Sequence, residues 1–166
     1  MNSWTKVALG SALTLALCGL GPVGAKTNSA SGKGVMGQTL TVSPARKLIN
    51  NQIVTAAGTK YNKNVGIYVA FCEIPEPGKK PAHCFGGINI NGDSKGSIWI
   101  SSNAPFYQKF LARPYGTNGT FKVQVMVSRF IDDTDCKVVK CGIITRADHN
   151  RGDFRKADVL VPVTFK

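Results

Sequence analysis

Acidic residues are scarce in this 166-residue chain: nine stand against 21 lysines and arginines, a formal net charge of +12. None of the nine lies in residues 26–72, a stretch that carries Lys26, Lys33, Arg46, Lys47, Lys60 and Lys63. Such a surface is drawn to anionic polymers or lipid headgroups by long-range electrostatics, and the same charge also keeps an exported protein soluble. Histidine is rarer still, with only His83 and His149. Neither stands in a motif with a serine or cysteine nucleophile. The chain has no phosphate-cradling glycine loop and no pair of carboxylates placed for acid–base work. Asp132-Asp133-x-Asp135 lacks the glycine and terminal glutamate of a calcium loop. The Cys-x2-Cys spacing of zinc sites is missing as well. No enzyme, resident cofactor or metal is therefore expected. Beyond residue 25 no window has a helical period, which excludes helical fold classes.

What is present begins with an export signal. Lys6 and the amino terminus form a basic start, an apolar run fills 7–20, and Gly21-Pro22 precedes the small residues of Val23-Gly24-Ala25. This pattern predicts a signal peptide at 1–25, cleaved after Ala25, and a secreted protein. Leu15-Ala16-Leu17-Cys18 offers an alternative, a lipoprotein anchored through Cys18, although Leu17 stands where lipoprotein processing wants a small residue. Cleavage at Ala25 removes one of five cysteines and leaves an even set: Cys72, Cys84, Cys136 and Cys141. Exported proteins usually pair all their thiols. The remaining 26–166 suit one domain, with 26–37 read as a flexible Ser/Gly/Lys-rich arm and 38–166 as the folded part.

Short β segments fill that part. Leu40 and Val42 alternate with Thr39, Thr41 and Ser43 until Pro44; further strands are expected at 52–56, closed by Gly58, at 65–72 and at 98–100. In 121–128, Phe121, Val123, Val125 and Val127 point one way. Segments 141–145 and 159–165 complete the set, and Pro162 consigns the last strand to an edge or a bulge. Seven strands separated by turn residues imply a Greek-key sandwich of immunoglobulin type, without the Cys…Trp…Cys spacing of antibody domains.

Four cysteines allow three connectivities. Pairing sequence neighbours, Cys72–Cys84 and Cys136–Cys141, needs only a Pro/Gly-rich loop in the first case and a tight hairpin in the second. Two clamps of this size are worth about 2–3 kcal/mol each.

The runs Thr41-Val42-Ser43-Pro44-Ala45, Gln52-Ile53-Val54-Thr55 and Tyr68-Val69-Ala70-Phe71-Cys72 resemble the start of the neocarzinostatin/macromomycin family. Asp135-Cys136-x4-Cys141-Gly142 is similar to that family's second disulfide loop. The tail from Cys141 to His149, closing on Val161-Pro162-Val163-Thr164-Phe165, resembles neocarzinostatin-like domains of exported proteins from high-GC Gram-positive bacteria. The resemblance spans 38–166. It implies a seven-stranded immunoglobulin-like barrel with two small disulfide-braced ribbons beside a cleft. In antibiotic-producing members the cleft holds an enediyne chromophore that cleaves DNA.

Carried over by position, the cleft would be lined by Phe71, Phe85 and Ile143, with Trp99, Phe106, Tyr107 and Tyr115 from the less similar stretch between. Ordinary core packing is the competing role for these side chains. The family's carriers are typically acidic, whereas this chain without its signal stands at +11. The leading expectation is therefore a monomeric, non-enzymatic secreted or cell-envelope binding protein. Its partners would be an apolar or aromatic small molecule in the cleft and anionic envelope polymers or lipid headgroups on the basic surface of Arg46, Lys47, Lys60 and Lys63. The alternatives are an antibiotic carrier, with DNA touched only indirectly or weakly, and a surface adhesion module using Arg151-Gly152-Asp153.

Overall fold

The computed structural model describes residues 28–87 and 95–166, so the expected signal segment and its cleavage point lie outside the described residues. The strands are β1 Ala30–Lys33, β2 Thr39–Ser43, β3 Gln52–Thr59, β4 Ile67–Glu73, β5 Ser97–Ile100, β6 Phe121–Val127, β7 Phe130–Ile131, β8 Thr134–Asp135, β9 Cys141–Ala147 and β10 Val159–Val163. They form two antiparallel sheets, ordered β1-β2-β3-β6 and β10-β9-β4-β5, plus the small ribbon β7-β8. The chain crosses between the sheets after β3, after β5 and after β6, which gives the expected all-β Greek-key sandwich.

Apolar alternation explains the core. Leu40, Val42, Val54, Ala56, Val123, Val125 and Val127 from the first sheet are buried against Ile67, Val69, Phe71, Ile143, Val159 and Val161 from the second. Burying each such large aliphatic or aromatic side chain contributes about 1.5–3 kcal/mol. On β6 the intervening Lys122 and Gln124 are exposed, so that strand presents one wet face. Pro162, opposite Gly142, lies in β10 at the edge of its sheet, where the missing N–H costs no ladder bond.

Three expectations are corrected. Segment 26–37 is not simply a flexible arm, because β1 pairs with β2 from Ala30↔Val42 to Lys33↔Thr39. Its order comes from backbone pairing and polar ties, which apolar patterning does not report. Gly37 turns the hairpin with φ 85°, the buried Gln38 donates through Nε2 to the Lys156 carbonyl at 2.7 Å, and Asn28 Oδ1 accepts from the Arg46 N–H at 2.9 Å. The two sheets therefore hold eight strands where seven were expected, since β1 is added. Nor does Gly58 close β3. It lies inside the strand because the Phe121 ring fills the space a side chain would take.

The sandwich has two unlike ends. At one, both disulfides form, Cys72–Cys84 and Cys136–Cys141. At the other, Tyr61, Tyr115 and Phe121 pack ring against ring, with centroids 5.1–6.4 Å apart. The Tyr61 hydroxyl meets Thr145 Oγ1 at 3.2 Å and that of Tyr115 donates to the Val65 carbonyl at 3.0 Å. Burial pushes both phenols well above the ordinary tyrosine value.

Gly119 closes this end with φ 65°, and a Cβ there would collide with the Tyr61 backbone. Gly119→Ala is accordingly expected to lower unfolding free energy by about 2 kcal/mol or more. Denaturant titration of the variant checks this, and an unchanged midpoint would refute the close approach.

Candidate binding cavity

β4 is buried on both faces. Its inward residues, Ile67, Val69 and Phe71, belong to the sandwich core, whereas Tyr68, Ala70 and Cys72 face outward beneath loops. Over this outer face lies a cavity of about 130 Å³. Tyr68, Ala70 and Ser97 supply its strand wall, Ala82, Cys84 and Gly87 its loop wall, and Arg146 one side. Register explains the grouping, because Ala70 is opposite both Ile144 of β9 and Ser97 of β5, and Tyr68 is opposite Arg146 and Trp99. The Cys72–Cys84 bridge pins the loop beside the strand, with the Phe85 N–H donating to the Phe71 carbonyl at 2.8 Å.

Polar groups fix the edges. Arg146 Nη1 donates to the Pro81 carbonyl at 2.6 Å, while its Nε is buried without a hydrogen-bond partner. Burial, and then the like charge of Arg155, hold the Arg146 guanidinium below its ordinary pKa. Next to it, the Tyr68 hydroxyl meets His149 Nδ1 at 2.8 Å. Burial and the Asp148 carboxylate raise the Tyr68 phenol to about 12. Trp99 Nε1 donates to the buried Asp148 at 3.1 Å. Behind the cavity, Tyr68, Trp99 and His149 form a tilted aromatic stack with centroids 5.2–6.2 Å apart.

The residues expected to line the cleft are dispersed. Phe71, Ile143 and Tyr115 are core side chains of the sandwich interior, and Phe71 meets Phe165 edge to face. Phe85 is partly buried against the same core. Trp99 is on the outer face but covered by Tyr68, Ala104 and His149. Phe106 and Tyr107 are exposed on a loop at the tyrosine end. On β4 and β9 the core and the outer face are one residue apart: Phe71 and Ile143 are partners, and so are Ala70 and Ile144 next to them. A single step along a strand changes the face.

The basic set is divided too. Arg46 and Lys47 follow β2 at the disulfide end, whereas Lys60 and Lys63 follow β3 at the tyrosine end, with all four exposed. A strand of this length separates them by about 17 Å. Arg151 donates to the Asn64 carbonyl, and Asp153 lies 3.6 Å from Lys80. Among the described residues no group of three or more His, Cys, Asp or Glu is placed to hold a metal ion.

No protein-family model matches the chain, and no curated protein matches it by sequence. The solved structure of macromomycin does match, with a TM-score of 0.52 and 20% identity, over 78% of this chain and all of that one. The fold is neocarzinostatin-like. At that identity the likeness establishes architecture, and the chemistry must come from this chain's own side chains.

The neocarzinostatin-like frame has its first disulfide loop joined to the β7-β8 ribbon through His83, a residue that stands in no catalytic motif. Its Nδ1 meets Glu73 at 3.2 Å and its Nε2 meets Asp132 at 3.1 Å. Asp132 belongs to the ribbon braced by Arg129, whose forked pair with Asp135 (2.6 and 3.0 Å) holds that carboxyl down at about 2. Hydrogen bonds to Glu73 and Asp132 raise the His83 pKa. The imidazolium bridge is thus complete below about pH 6.5 and is lost as pH rises through the higher folded value. Protection of the amides in loop 74–83 and ribbon 130–135, taken relative to their intrinsic exchange rate at each pH, is expected to fall across that rise, and in His83→Ala to be low on both sides of it. Protection that does not change with pH in wild type would refute the bridge.

Proposed function

We propose that this is a non-enzymatic binding protein of neocarzinostatin-like fold. Its ligand is a flat aromatic or apolar compound carrying an acidic group, seated on the outer face of β4, β5 and β9. The observation behind this is the Arg146 guanidinium on one side of a hollow with an apolar floor at Ala70 and Cys84. A carboxylate on a bound molecule would meet that cation through a charge-assisted hydrogen bond. Small, mostly apolar concavities with one or two fixed polar groups are the usual form of such sites. The architecture shared with macromomycin supports a carrier more than a catalyst. So does the placement of both histidines, each held by structural hydrogen bonds. The expected export, with four cysteines in two bridges, fits a role at or outside the cell envelope.

A simple aromatic acid, 2-naphthoate, probes this reading by calorimetry. Wild type is expected to bind it, Ala70→Trp to fill the floor and lose binding at least about tenfold, and Arg146→Gln to lose a similar factor for the acid but little for neutral 2-naphthalenemethanol. Native mass spectrometry of protein from its own source should show a retained small molecule that Ala70→Trp lacks. Equal naphthoate affinity in wild type and Ala70→Trp would refute the site.

A further inference from the structure

We propose that loop tip 106–110 is an anchor that seats this protein on an anionic lipid bilayer. The loop leaves the sandwich at the tyrosine end and packs its base on Tyr68 and Trp99, but its tip shares no residue with the lining of the cavity. Three aromatic side chains within five residues stand in solvent there: Phe106 is 86% exposed, Tyr107 62% and Phe110 82%. Exposed apolar clusters of this kind mark interaction sites.

The loop is built to hold them out. Its base is closed by the Ser101 N–H to the Arg113 carbonyl and the Arg113 N–H to the Trp99 carbonyl, both 2.9 Å. Inside it, Ala104, Leu111 and Ala112 pack on Tyr68 and Trp99, and turns at Gln108 and Leu111 are hydrogen bonded to Pro105 and Gln108. The apolar residues that could shield the tip are thus committed inward. The tip itself has no cover among the described residues.

Charge names the partner. Segments 59–66 and 101–120, both at this end, hold Lys60, Lys63, Lys109 and Arg113 and no carboxylate. Segment 148–158 adds Arg151, Arg155 and Lys156 against three acids. Of those acids, Asp148 is buried and accepts from Trp99, Asp158 is paired with Arg155, and Asp153 stands beside Lys80. The turn at 34–38 exposes Val35 and Met36 at the same end.

Exposed aromatic side chains on a loop that also carries Lys109 and Arg113 suit the headgroup layer, where rings sit at the interface and cations meet anionic lipid. A stacked sugar or base would want coplanar faces, but the Phe106 and Tyr107 rings meet at 88°, as a wedge. The first described residue, Asn28, is hydrogen bonded to Arg46 at the opposite end of the sandwich.

Flotation of the full chain with phosphatidylcholine vesicles, with or without phosphatidylglycerol, tests the anchor. Wild type is compared with Phe106→Ser/Phe110→Ser and with Lys63→Glu/Lys109→Glu. All three share residues 1–27, so any contribution of that segment cancels. Wild type should bind the phosphatidylglycerol vesicles and be weakened by salt, and each double variant should lose at least about tenfold with an unchanged thermal midpoint. In Tyr107→Trp, brominated lipid should quench the new fluorophore. The proposal is overturned if wild type does not bind, or binds neutral vesicles equally well. It also falls if the aromatic double variant binds as wild type does, or if soluble polyglutamate captures wild type and that variant alike.

Discussion

The proposed small-molecule site depends on β4 being buried twice. A strand between two neighbours in a sheet normally turns one face to the core and the other to water. Here Ile67, Val69 and Phe71 hold the two sheets together, while Tyr68, Ala70 and Cys72 are covered from outside by the disulfide loop and the loop after β5. The small side chain of Ala70 between the larger Tyr68 and the bridged Cys72 leaves the hollow. The bridge to Cys84 keeps the covering loop from collapsing into it. Core stability and binding surface are thus assigned to alternate residues of one strand, so each can change with little effect on the other.

The division extends along the sandwich axis. The disulfide end collects Glu73, Asp132 and Asp135 around His83 and Arg129. The opposite end collects a buried tyrosine layer beneath a basic rim and an exposed aromatic tip. The second end combines three exposed aromatic rings with loop segments 59–66 and 101–120 that hold no carboxylate, which is why the bilayer proposal rests there while the proposed small-molecule site lies on the sheet.

Much of the frame was legible in the residues. β6 announces itself because Lys122 and Gln124 interrupt its apolar row, and Pro162 places β10 at an edge because its nitrogen has no hydrogen to give. The disulfide pairs followed from sequence proximity. What stayed hidden has physical causes. Ile67-Tyr68-Val69-Ala70-Phe71-Cys72 is apolar throughout, so no alternation tells inside from outside. β1 has no apolar row to read; it is ordered by backbone pairing and by Asn28 and Gln38 side chains whose partners are distant in sequence. Phe106 and Tyr107 were visible as aromatics, but outside a strand nothing local says whether such rings are buried. His83 and Arg146 gain their meaning only from residues brought beside them by the fold.

The claim at the centre is that neighbouring residues of β4 face different worlds. Side-chain NMR during a 2-naphthoate titration tests it most directly. The account predicts shifts that alternate along the strand, large for Tyr68 and Ala70 and for Arg146 across from them, with Val69, Phe71 and Ile143 unmoved. Shifts centred on Phe71 and Ile143, or spread evenly along β4, would contradict it.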